Sequence, residues 1–160
     1  MQNVEHDVVD PFLAVEEQVA RDYRRVLVIE DDSELSNILD RVLRVIDQRM
    51  EIQWATSVEE AQAKLVKQSK KDPDSPYDLI VADIFLEGSK TGLDLWRLCN
   101  QNFSDVPVVM TSALPMDKYY QALGQDAIAP PFLAKPFSIG ECKQLFEAMF
   151  EYRDRYRKKH

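Results

Sequence analysis

The chain has 160 residues, 45% of them hydrophobic, and a formal net charge of −8, which suits one domain with a sizeable core plus short extensions. The acidic balance argues against adventitious binding to a polyphosphate backbone, which needs a basic surface. No apolar stretch approaches the roughly 20 residues that span a bilayer and the polar, acidic N-terminus lacks a signal-peptide pattern, so no membrane association and a cytoplasmic location are expected.

Residues 1–24 read as an extension. Asp10 followed by Pro11 suits an N-cap and a first helical position, and Phe12, Val15, Val19 and Tyr23 recur at helical spacing, predicting an extra amphipathic helix. Such a stripe packs on its own domain or pairs with a second subunit or output partner. The apolar run Val26–Ile29 then ends in Glu30, Asp31 and Asp32, the last of which serves equally as a helix cap or a site residue. Leu35, Ile38, Leu39, Val42, Leu43 and Ile46 mark a helix, and Glu51–Ala55 a weaker second strand. Ser57 with Glu60 is a capping box opening a helix that carries Ala61 and Leu65. The polar, proline-containing stretch 68–76 is expected to be a loop.

A third run, Leu79–Ala82, ends in Asp83; Leu93, Leu95, Trp96 and Cys99 mark the helix that follows. The fourth run, Val108–Met110, ends in Thr111 and Ser112. The fifth, Phe132–Ala134, leads into Lys135, Pro136 and Phe137, and Pro130 with Pro131 removes two backbone donors, so this should be an edge strand. A last helix opens with a second capping box, Ser138 and Glu141, and is expected to bury Ile139, Cys142, Leu145, Phe146 and Met149. The closing cluster Arg153, Arg155, Arg157, Lys158 and Lys159 reads as a solvated last turn complementing the helix dipole, with a partner-docking role as the alternative. Cys99 and Cys142 fall on helices expected on opposite faces of the sheet, as reduced, packed thiols.

Continuous apolar runs separated by helical patterns predict buried parallel strands in a doubly wound, five-stranded α/β sheet, and ligands gather at the carboxyl ends of such strands. One edge would then hold several carboxylates, a hydroxyl and an ammonium. Clustered carboxylates are tolerated around a cation, and hard oxygen ligands suit Mg²⁺. An aspartate flanked by metal, hydroxyl and lysine can accept a phosphoryl group as an acyl phosphate. A capping role for Asp83 is disfavoured because Ile84, Phe85 and Leu86 continue apolar and leave its charge costly without a cation. A phosphohydrolase is also disfavoured: two residues past Asp83 stands Phe85, where such enzymes place a second carboxylate as general acid.

In this order and spacing, the four motifs ending at Asp32, Asp83, Ala113 and Phe137 resemble the receiver domain of two-component response regulators, over roughly Arg24–Phe150. The resemblance implies a flavodoxin-like domain at 25–152, preceded by the 1–24 extension and followed by a basic tail at 153–160. It implies that Asp83 is the phosphoacceptor, that Glu30, Asp31, Asp83 and the backbone carbonyl of Phe85 hold Mg²⁺, and that Lys135 contacts the phosphoryl oxygens. Ser112 takes the position of the conserved hydroxyl and Phe132 that of the switching aromatic. Phe85 and Leu114 stand two positions after the acceptor and the hydroxyl, where side chains control hydrolytic water.

The sequence departs from the pattern in two loops. Glu87 replaces a usual proline and the turn Gly88–Gly92 is one residue longer; the segment Gly124–Pro131 is about two residues longer. In this family the second region receives partners, which suggests an unusual partner or a non-standard homodimer. The resemblance thus implies a stand-alone receiver, phosphorylated by a histidine kinase or phosphotransfer protein. No DNA-binding domain follows, so output is expected through contact with an unidentified output protein or by onward phosphotransfer. Such a chain is no enzyme beyond catalysing, at most, its own phosphorylation and dephosphorylation. The alternative is a phosphorylation-independent, receiver-like interaction module (a pseudo-receiver), against which the intact Glu30, Asp31, Asp83, Ser112 and Lys135 argue.

Overall fold

The apolar runs become strands in the order expected. A computed structural model describes residues 21–124 and 128–159, with the elements β1 (Arg25–Ile29), α1 (Ser33–Ile46), β2 (Glu51–Ala55), α2 (Val58–Lys71), β3 (Leu79–Asp83), α3 (Gly92–Asn102), β4 (Val108–Ser112), α4 (Met116–Leu123), β5 (Phe132–Ala134) and α5 (Ile139–Lys159). The strands form one parallel sheet in the order β2-β1-β3-β4-β5, with β5 at an edge as the two prolines require. This is the flavodoxin-like, doubly wound arrangement. β1, β3 and β4 are buried throughout, which is why their sequences run apolar without alternation.

Strand side chains alternate between two cores. Leu27, Ile29, Ile80 and Ala82 pack with Ala61, Leu65, Leu95, Trp96, Cys99 and Tyr119 from α2, α3 and α4. Val26, Val28, Leu79, Val81 and Val109 pack with Leu39, Val42, Leu43, Cys142, Phe146 and Phe150 from α1 and α5. The two cysteines are free and buried in different cores, as expected, and burial pushes each thiol up to about 12. Among the described residues no helix is long and apolar enough to cross a membrane.

Several expectations need correction. Residues 68–71 belong to α2 rather than to a loop, and Gln68 is buried because its amide oxygen accepts from Gln53 Nε2 on β2 at 3.4 Å. Glu60 folds back onto the Thr56 N–H at 2.9 Å, one residue before the expected Ser57. The Ser138–Glu141 box forms, and an unforeseen one, Thr91–Asp94, opens α3. Ile139 is 61% exposed as the first residue of α5, and the buried row runs Cys142, Phe146, Phe150 and Arg153 instead, with Leu145 and Met149 half-buried. Tyr23 lies in a bend, off any helix; the rest of the expected N-terminal helix lies outside the described residues.

The solvated-tail reading holds for Arg155, Lys158 and Lys159, which are exposed, and fails at Arg153. The 152/153 boundary falls inside one continuous helix, and Arg153 is 1% exposed. Its Nη1 donates to the Asp105 carbonyl at 2.9 Å and carboxylate at 2.6 Å, and its Nη2 to Ser75 Oγ at 2.9 Å. Nearby, buried Asp78 accepts from the Arg25 N–H at 2.8 Å and from Arg21 at 3.2 Å. Its other oxygen is 2.7 Å from Arg157 Nη2, an ion-pair distance without hydrogen-bond alignment. Arg24 adds two bonds to Asp154, at 3.0 and 2.9 Å, which hold that carboxyl below the usual range. These contacts pin the end of α5 to the amino ends of the strands.

Candidate functional site

Parallel register aligns the polar strand ends: Ile29 pairs with Ala82, Asp83 with Thr111, and Ser112 with Ala134. Glu30, Asp83, Ser112 and Lys135 therefore emerge along one edge of the sheet. Lys135 Nζ lies 2.7 Å from Asp83 Oδ2 and 3.2 Å from Glu30 Oε2. Asp31, exposed on the same loop as Glu30, completes a group of three carboxylates with oxygens all within 4.8 Å of one another.

The electrostatics follow from burial. Glu30 is 4% exposed; desolvation pushes its carboxyl up, and the Asp32 N–H and Lys135 offset only part of this. Desolvation by itself would lower Lys135, but its hydrogen bond to Asp83 and the charges of Asp83 and Glu30 win and raise it, so it stays a cation. One ammonium against three carboxylates leaves the cluster net negative, and its donors are hard oxygens. That donor set fits a divalent cation such as Mg²⁺.

The remaining expected residues divide. Asp32 caps α1, accepting from the N–H groups of Glu34 and Leu35 at 2.8 and 3.1 Å, which decides between its two readings. Asp83 Oδ1 accepts from the Phe85 N–H at 3.1 Å, while the Phe85 ring is 58% exposed. Buried Ser112 accepts from the Leu114 N–H at 3.1 Å through Oγ, so its own O–H is left to donate. Half-buried Phe132 stacks on buried Tyr119 of α4, with ring centroids 4.2 Å apart, and the Tyr119 hydroxyl donates to the Pro130 carbonyl at 2.9 Å. The longer turn after the acceptor is held to the start of α2: Glu87 bridges Ser57, and the Ser89 hydroxyl donates to Glu59 at 3.3 Å.

Two residues escaped sequence reasoning. Tyr119 had no signal beyond an aromatic in a short helix. Gly92, first residue of α3, sits against the acceptor itself: a Cβ there would lie 2.1 Å from the Asp83 carbonyl oxygen, and its N–H donates to the Ile84 carbonyl at 2.9 Å. The Thr-Gly pair opening the helix was the available signal. Gly92→Ala should therefore displace the Asp83 backbone and destabilise the chain by about 2 kcal/mol. A urea titration giving less than about 0.5 kcal/mol would show that the loop yields freely.

A family model described as the response regulator receiver domain matches residues 26–147. No curated protein sequence matches the chain. Among solved structures the chain is similar to NtrX from Brucella abortus, at 24% identity and TM-score 0.66, with 85% of this chain and 28% of that one covered. It thus spans less than a third of the length of NtrX. It is similar also to the response regulator PhyR from Brucella abortus, at 20% identity and TM-score 0.66, over 84% of this chain and 51% of that one. A third similar structure is the signal receiver domain of an HD domain-containing protein from Pseudomonas fluorescens Pf-5, at 16% identity and TM-score 0.70, over 86% and 93% of the two chains.

Proposed function

The chain belongs to the response regulator receiver domain family, and on that premise we propose that Asp83 accepts a phosphoryl group from a histidine kinase or phosphotransfer protein. The observation that carries the reading is the contact of Lys135 Nζ with Asp83 Oδ2 at 2.7 Å, beside the Glu30 and Asp31 carboxylates. An Asp83 oxygen attacks the donor phosphorus, the bond from phosphorus to the donor atom breaks with its electron pair leaving on the donor, and an acyl phosphate forms.

Lys135, already a cation against Asp83, moves its charge onto the incoming phosphoryl oxygens. Glu30 positions that lysine: its two oxygens are engaged by the Asp32 N–H and by Nζ, and its charge adds to the metal-binding cluster. Mg²⁺ would be held by Glu30, Asp31, Asp83 and the Phe85 carbonyl, and when bound it would offset the charge on the transferred oxygens. The free Ser112 O–H donates to a phosphoryl oxygen. Phe132, one strand over and stacked on Tyr119, then changes population between two positions and alters the face that an output protein or a second copy reads. The chain acts as a switch rather than as a turnover enzyme, in the cytoplasm where its kinase would reside.

Incubation with acetyl phosphate and Mg²⁺, followed by intact mass, tests this. One added phosphoryl group is expected; an unchanged mass would instead support the phosphorylation-independent interaction module. Asp31→Ala should weaken Mg²⁺ binding at least about tenfold in a calorimetric titration, because it removes a charged oxygen ligand. Asp32→Ala should leave binding nearly unchanged and cost about 1 kcal/mol of stability as a lost cap, and equal losses of affinity would overturn that division. Phe85 and Leu114 are both apolar and cannot orient water, so the acyl phosphate should be long-lived. The double variant Phe85→Asn/Leu114→Glu should lose it about tenfold faster; an unchanged decay after donor removal would rule out this control.

A further inference from the structure

Among the described residues, three buried side-chain atoms have no hydrogen-bond partner: Asp78 Oδ1, Arg153 Nε and Thr111 Oγ1. The first two face each other as opposite charges at 3.9 Å. The Thr111 hydroxyl has no such compensation, although the residue is 1% exposed. A hydroxyl buried without a partner costs stability, so it calls for a reason.

Its place in the sheet supplies one. On β4, Val109 packs into the core under α1 and α5 and Met110 into the other, and strand alternation turns Thr111 back to the α1 and α5 side. Asp83 follows Val81 and Ala82 in the same alternation and Lys135 is two residues past Leu133, so both face that side too. Thr111 is the β4 residue paired with Asp83 on one flank and Leu133 on the other. Since β4 lies between β3 and β5, the Lys135 side chain crosses β4, on the face that carries Thr111, to bring Nζ within 2.7 Å of Asp83 Oδ2 and 3.2 Å of Glu30 Oε2.

Donor and acceptor capacity also match. An ammonium carries three N–H donors, and among the described residues those of Lys135 have two acceptors, Asp83 and Glu30. We infer that Thr111 Oγ1 becomes an acceptor for Lys135 Nζ when Asp83 is phosphorylated, which makes Thr111 a positioning residue for phosphoryl transfer. The inference rests on Asp83 as the phosphoacceptor. As the acyl phosphate forms, the Asp83 carboxylate gives up its charge and with it much of its hold on Nζ. A bond from Nζ to Thr111 Oγ1 replaces the one lost and keeps the ammonium on the phosphoryl oxygens. Because that bond is absent at rest and made as the charge moves, it lowers the barrier instead of tightening the resting site.

Thr111→Val, which removes the hydroxyl and keeps the shape, tests this. Its urea midpoint should equal or exceed that of the wild type, since an unpartnered hydroxyl is lost. Its phosphoryl uptake from acetyl phosphate with Mg²⁺, read by intact mass, should nevertheless be about tenfold slower. Thr111→Ser should restore the rate to within about twofold of wild type, because it restores the acceptor. With beryllofluoride and Mg²⁺ as a phosphoryl analogue, the Lys135 ammonium protons should exchange with water about tenfold faster in the Val variant than in wild type or Ser. A lower midpoint for Val would show that the hydroxyl already has a partner at rest and would overturn the inference. An unchanged rate in Val, a slow Ser variant, or ammonium exchange alike in all three would overturn it as well. Each of these leaves Asp83 as acceptor, whereas a wild type that takes up no phosphoryl group removes the proposed function and this inference together.

Discussion

Asp83→Asn should take up no phosphoryl group from acetyl phosphate, a loss of at least about 100-fold in rate, while keeping the fold. The amide has the shape of the carboxylate but not its nucleophilic, anionic oxygen. The substitution also removes the closer of the two anions that hold Lys135, at 2.7 Å, and leaves Glu30 at 3.2 Å. Relief of repulsion between Glu30 and Asp83 offsets part of that loss, so stability should change by no more than about 1–2 kcal/mol. Intact mass before and after the donor reads the first effect and a urea titration the second. Fragment masses matter too, because Asp31 is exposed beside the acceptor and is the other carboxylate a small donor can reach. A phosphoryl group mapped to Asp31 in the wild type, or undiminished uptake by the variant, would move the acceptor.

What the sequence disclosed depended on whether the relevant contact was local or long-range. β1, β3 and β4 announced themselves because strands buried on both faces have no room for polar alternation. Once these three and the β5 run are parallel, the polar residues that end or follow them must meet at one edge, so Glu30, Asp83, Ser112 and Lys135 came together without any side chain being visible. Gly92 and Tyr119 were not legible, since each acts through a partner distant in the chain: the Asp83 carbonyl in one case, Phe132 in the other. Asp32 was ambiguous in sequence because capping and metal binding ask for the same carboxylate, and only the two N–H groups aimed at it decide. The basic run at the end misled for a different reason. Cationic side chains usually complement a helix end in solvent, yet Arg153 stands seven residues after Phe146 and so shares its buried face.

Arg153→Ala should destabilise the chain by about 3–5 kcal/mol, in contrast to Lys158→Ala five residues later, which should change stability by less than about 0.5 kcal/mol. The guanidinium is 1% exposed and makes hydrogen bonds to Ser75, in the loop before β3, and to both the carbonyl and carboxylate of Asp105, in the loop before β4. Truncation would strand the Asp105 carbonyl, leave the Ser75 hydroxyl only the longer 3.4 Å bond from Arg21, open a cavity at the base of α5, and remove one of the guanidinium groups facing buried Asp78, whose Oδ1 lies 3.9 Å from Arg153 Nε. Arg21 and Arg157 still face Asp78, so the loss should be partial and the chain should still fold. Arg153→Met separates the two contributions: it refills the volume without restoring charge, so recovery of only about 1–2 kcal/mol relative to Ala is expected if the ionic network dominates. Full recovery in Met would make Arg153 a space-filling residue, and a loss below about 1 kcal/mol in Ala would return it to the solvated tail that the sequence alone suggested.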